Sequence, residues 1–232
     1  MYARVLACLL LTSAFVAGSE PGSVVPGPIV EVYLKAADSS SSAALDEMKV
    51  EVVSLMQTAG VGVEWRKSNE ETPVSRGDLV VVTLSGICQA PPRKLPMQRL
   101  KSLPPLAASS VVDGRILPFV SVNCNALSHF VGPFLSNHSS AQRDFVYGRA
   151  MARLLAHELY HVLVQTRDHT ETGIAESQVS SGELLAEHFG FGDIALTRFA
   201  WRTIIGPSEM SVRQSSGTKF FLGQAHKLPG DK

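Results

Sequence analysis

The stretch from Leu154 to Glu176, LLAHELYHVLVQTRDHTETGIAE, concentrates the side chains able to do chemistry. His157 and His161 stand four residues apart in a segment of helical periodicity, which puts both imidazoles on one face about one turn from each other. At that spacing two ring nitrogens can reach one ion at the roughly 2.0 to 2.1 Å typical of zinc. Glu158 follows His157 directly and so lies beside the ligand face rather than on it. A carboxylate there is badly placed to ligate the same ion and well placed to accept a proton from water on that ion. HELYH is thus an HExxH motif on a helix, and the chemistry it predicts is zinc-assisted hydrolysis.

Such a site needs a third protein ligand and an open fourth position. His169 lies eight residues after His161, beyond the polar QTRD, a sequence suited to ending a helix and turning back. Eight residues cover roughly 26 Å when extended, so only the turn geometry limits it. Glu176, Glu183 and Glu187 are the alternatives, the last two at i and i+4 of a following short helix. His169 is preferred because an imidazole in a post-helix turn requires no second helix to be docked first. Blander roles are open too. Glu158 could pair with Arg153 as a solvated helix charge, and Tyr147 and Tyr160 could be core residues rather than donors to an oxyanion. His129, His138, His188 and His226 have no partner spacing and read as surface or capping residues.

The residues from His157 to Ala175 resemble the metzincin branch of zinc metallopeptidases. They are closer still to a group of short secreted bacterial zincins, in which a third His follows the second by eight residues and a GI-Met or GI-Ala turn comes soon after. The resemblance implies zinc held by His157, His161 and His169, Glu158 as general base, and a mixed sheet with the motif helix packed beneath it. It extends over about residues 29 to 190 and is specific only around the motif. Two positions depart from it. Val164 and Arg167 stand where the branch has a glycine and its third His, and Ala175 stands where the turn methionine is expected.

The elements that must position these side chains can be read from periodicity. IVEVYLK at 29 to 35 and VGVEW from Val61 alternate as half-buried strands, and between them Leu45, Met48, Val52, Leu55 and Met56 recur at helical spacing up to Gly60. Strand, helix, strand in that order predicts a βαβ unit with parallel pairing. DLVVVTL at 78 to 84 is a continuous apolar run, consistent with a central strand. Residues 85 to 114 carry five prolines and read as a long ordered loop; RILPFVSVNC at 115 to 124 returns to strand, with Pro118 marking an edge or a bulge. The longest helix is expected over 139 to 165. Ser139 and Gln142 form its capping box, and its apolar face includes Phe145, Val146, Met151, Leu154 and Leu155. A shorter helix closed by glycine is expected within 180 to 192, and the residues from 193 onward show no clear element.

Arg4, the apolar run from Val5 to Ala17 and the small residues after it predict a signal peptide over residues 1 to 18, followed by a Pro/Gly/Ser-rich lead-in at 19 to 28. The protein is then secreted or periplasmic, without a stable membrane anchor. Of the 21 basic residues only Arg4 leaves with the signal, and the 21 acidic residues all remain. That balance excludes the basic field a nucleic-acid partner requires. Cys88 and Cys124 are the cysteines left, and an even pair in an exported chain suggests a disulfide, with two free thiols as the alternative. Asn137 opens a glycosylation sequon, although Ser139 is better used as the helix cap. The expectation is one α+β domain over 29 to 232, a mixed, mostly parallel sheet packed on a long motif-bearing helix. Its expected activity is that of an exported zinc metallopeptidase acting on peptides or proteins; the alternative is a non-catalytic secreted binding module on the same scaffold.

Overall fold

The computed structural model describes residues 27 to 36, 40 to 66, 77 to 92, 104 to 136 and 138 to 205. The expected signal peptide, most of the lead-in, Asn137 and His226 lie outside them.

Five strands form one sheet in the order β2-β1-β3-β5-β4. β1 (Ile29–Lys35), β2 (Gly62–Arg66), β3 (Asp78–Ser85) and β5 (Arg115–Asn123) pair in parallel, and β4 (Ala107–Val112) runs antiparallel at the outer edge beside β5. The βαβ expectation holds. α1 (Ser42–Thr58) starts at Ser41, whose side chain accepts from Ala44 N, and carries the chain from β1 to β2.

Register puts Val32, Val80 and Leu34, Val82, Val120 in neighbouring rows, so the valines buried on one face form a continuous floor. Against it pack α1, through Ala44, Met48, Val52 and Met56, and α3 (Ser140–Val164), which opens with the expected capping box at Ser139 and Gln142. Each large apolar side chain buried here, such as Leu154, Leu155 or Leu159, contributes about 1.5–3 kcal/mol. α3 is therefore held along its length, and the motif it carries is fixed relative to the sheet.

Several expectations need correction. β3 is central, yet its burial alternates, and on the second face Leu79 is 41 % and Phe119 49 % exposed. The helices cover one side of the sheet, which a run of apolar residues does not reveal. Residues 85 to 114 are not all loop. Within them lies β4, joined to β5 by a tight turn at Asp113 and Gly114, both with positive φ (49° and 77°). Two consecutive left-handed residues suit the twist of a hairpin, and Asp-Gly is a favoured pair for it. Pro118 is at neither end of the sheet; it falls where the β4–β5 register shifts between Ser109 and Val111, so the bulge reading is the right one. Phe145 is 47 % exposed and off the buried face of α3. α4 (Ser181–Leu185) ends at Ala186, short of Gly190, and is not closed by a glycine. α2 (Cys124–Val131) with the 3-10 turn Gly132–Leu135, and α5 (Asp193–Ile205), were not anticipated.

Cys88 and Cys124 form a disulfide that ties the segment after β3 to the start of α2. Asp144 on α3 reinforces the same corner, accepting from Ala90 N at 3.0 Å and from Ser41 Oγ at 3.2 Å. Among the described residues no helix is long and apolar enough to cross a membrane.

Candidate metal centre

α3 delivers His157 and His161 from its last two turns. The helix stops at Val164 because Gln165 adopts a left-handed conformation (φ 54°), and its side chain turns back to donate to Val162 O at 2.6 Å. The reversal expected of QTRD follows and returns His169 to the other two rings. Ring centroids are 4.7 Å apart for His157 and His161, 4.8 Å for His161 and His169, and 5.2 Å for His157 and His169. One nitrogen from each lies within 4.8 Å of the others, a group that could hold a metal ion.

The chemistry of the donors supports this. His157 Nδ1 is 2.6 Å from Ile174 O and His161 Nδ1 is 2.7 Å from Thr166 O. A carbonyl can only accept, so each ring carries its proton on Nδ1 and presents Nε2 as a bare lone pair. The two Nε2 atoms stand 2.9 Å apart. Two lone pairs at that distance repel unless a cation lies between or beside them. Burial pushes His157 well below the usual imidazole range, with neighbouring His161 adding to the shift, and pushes His161 down to about 4. Both shifts favour neutral rings, the form in which an imidazole ligates a metal. Ligand nitrogens on a tetrahedral zinc are about 3.4 Å apart, so a slight opening of the pair accommodates one. His169 is likewise lowered by burial, against the pull of Asp168, and is available as a neutral donor.

Glu158 is buried at 4 % exposure, and its Oε2 accepts from Ser109 Oγ at 2.6 Å. Burial raises its carboxyl to about 7, with the Ser109 hydrogen bond opposing the shift. A divalent cation nearby would draw it back toward the ionised form. The pairing with Arg153 does not occur: Arg153 binds Glu51 at 3.2 Å instead. Nor do the alternative carboxylates join the histidines. Among the described residues the metal-capable group is His157, His161 and His169; Glu183 instead closes the α4 capping box with Ser180, and Glu187 lies exposed beyond α4.

The His169 turn is fastened from two elements. Tyr160 Oη donates to Asp168 O at 3.2 Å, and Arg198 on α5 donates both to Tyr160 Oη and to Asp168 O. Tyr160 is thus a core and positioning residue. Tyr147 is a core residue too, wholly buried and donating to Cys124 O at 2.9 Å. Ile174 and Ala175 are buried, Ile174 supplying the acceptor for His157.

Ser109 and Arg198 are the functional residues that sequence reading missed. Asp113-Gly114 between two short β-prone runs was the signal for the hairpin carrying Ser109. The spacing of Ala195, Phe199 and Arg202 after Asp193 was the signal for α5.

No family model, no curated protein and no solved structure matches this chain. The metzincin resemblance consequently rests on residues 157 to 175, and the reading of function on the geometry around them.

Proposed function

We propose that this protein is an exported zinc-dependent peptidase, with His157, His161 and His169 as metal ligands and Glu158 as general base. The observation that carries the reading is the facing pair of Nε2 lone pairs at 2.9 Å, each fixed by an Nδ1–H bond to a carbonyl, with His169 beside them. When bound, zinc supplies a Lewis acid that acidifies water and polarises a carbonyl. Three imidazoles suit zinc and leave one position for chemistry.

Glu158 stands next in sequence to a ligand and is buried, so its basicity is high for a carboxylate. It takes a proton from the attacking water and returns it to the leaving amine. Ser109 Oγ holds carboxylate oxygen Oε2 in place. A peptide is the favoured substrate because Ser109 sits on β4, the outer strand. An extended chain laid along that edge would gain main-chain hydrogen bonds beside Glu158.

A non-catalytic secreted binding module on the same scaffold is the second reading, favoured by Ala175 at the position of the turn methionine. One experiment separates the two. The purified protein is expected to hold about one zinc and to cleave members of a broad peptide library, with chelator abolishing cleavage. Glu158→Gln keeps the metal and lowers turnover by roughly a hundred- to ten-thousandfold. Stoichiometric zinc without any cleavage removes the peptidase and leaves the module.

A further inference from the structure

Arg153 precedes His157 by four residues on α3, is 1 % exposed, and takes no direct part in the site described above. Its Nη1 donates to the carbonyl oxygens of Glu183, Leu184 and Ala186 at 2.9, 2.8 and 2.8 Å. Its Nη2 reaches Glu187 O at 3.5 Å and pairs with Glu51 on α1 at 3.2 Å. One guanidinium thereby satisfies the carbonyls left over where α4 ends, a position that favours a cation.

The chain beyond Glu187 then runs back toward the histidines. Phe189 and Phe191 pack on Leu55, Ala156 and Ile174. Gly173 and Phe191 form an antiparallel bridge, and Gly190 O accepts from Ile174 N at 2.9 Å. The two backbones touch: a Cβ on Gly173, whose φ is +80°, would stand 2.5 Å from Gly190 O and from Gly192 N. Little freedom is left to Ile174, whose N–H goes to Gly190 O and whose carbonyl oxygen takes the His157 Nδ1 proton.

We propose that Arg153 is a positioning residue for the metal centre. By gripping the carbonyls of 183 to 187 it anchors the strip 189 to 191, the strip fixes Ile174, and Ile174 O holds His157 as the Nδ1–H tautomer with Nε2 bare. The inference rests on the three-histidine reading of the site and on no step of catalysis. His161 takes its carbonyl from Thr166, on a different stretch of chain, and so serves as an internal control.

The test is imidazole nitrogen–proton correlation NMR on the metal-stripped full chain at pH 8, together with zinc titration against a chromophoric chelator. Wild type is expected to show His157 and His161 both as Nδ1–H. In Arg153→Met, His157 becomes a mixture of tautomers, His161 is unchanged, and zinc affinity falls on the order of 10- to 100-fold. Arg153→Lys, which keeps the charge and Glu51 but loses the fork, shows a smaller shift of the same kind; it is the variant to read if Arg153→Met does not fold. A His157 that stays Nδ1–H in the folded variant overturns the proposal. Equal loss at His157 and His161 overturns it as well, since that marks general loosening. A wild type that binds no zinc would sink the metal reading while the tautomer result still decides the role of Arg153.

Discussion

Ile174 O and Thr166 O each take the Nδ1 proton of one imidazole, and that choice of acceptor turns two ordinary histidines into a pair of facing donors. Glu158 is prepared in a similar way, by burial and by the Ser109 hydroxyl acting together with the Ser109 backbone. Ser109→Ala removes that hydroxyl donor, an interaction worth about 1.5–3 kcal/mol when one partner is charged. The expected outcome is unchanged zinc content with kcat lowered on the order of tenfold or more, read by steady-state kinetics beside metal analysis. Loss of zinc instead would place Ser109 among the groups that support the ligands. His157, Glu158 and His161 were legible from spacing because a helix converts sequence distance into direction. Ser109 was not, because its partner lies 49 residues away and only sheet pairing brings them together.

α5 acts on the site from outside. Arg198 fastens Asp168, the residue before His169, and Arg202 donates to Val162 O at 3.2 Å near the end of α3 while pairing with Asp78 at 3.1 Å. The helix thus pins both the stop of α3 and the turn that follows it. Arg198→Met is expected to weaken zinc binding on the order of tenfold through His169, with the His157 and His161 tautomers intact by NMR. Unaltered affinity would show that Tyr160 suffices to hold the turn. The reason α5 escaped notice is physical: among the described side chains Ala195 and Phe199 are buried while the large apolar Ile194 and Trp201 are exposed, so apolar residues do not mark one face alone. The hairpin of β4 and β5 is the opposite case, where the turn pair was written plainly but the prolines upstream suggested an unbroken loop.

Across the whole molecule, the buried site couples stability to pH. In metal-stripped protein burial holds the three histidines below the ordinary imidazole value of about 6.5, His161 at about 4. Between those values the unfolded chain binds protons that the folded chain refuses, so stability falls as pH falls. Glu158 works the other way: raised to about 7 from 4.5, it is protonated in the folded chain first and adds stability as pH falls through that range. Three groups oppose one. Urea unfolding with chelator present is expected to give a midpoint that drops from pH 7 to pH 4, and Glu158→Gln, which deletes the opposing group, steepens the drop. A midpoint independent of pH would mean that the imidazoles are not buried in the free protein.

What the sequence by itself determined was local: four of the five strands, α1, the capping box of α3, the HExxH spacing and the reversal after it, all set by side-chain periodicity and turn chemistry within a few residues. The mostly parallel sheet followed from the order of elements. The tertiary structure decided which face of the sheet is covered, that Cys88 meets Cys124, that the third imidazole rather than Glu183 or Glu187 joins the pair, and which carbonyls fix the tautomers. Those facts depend on contacts between residues far apart along the chain. No periodicity encodes them, because only packing brings Ile174 under His157 and β4 against Glu158.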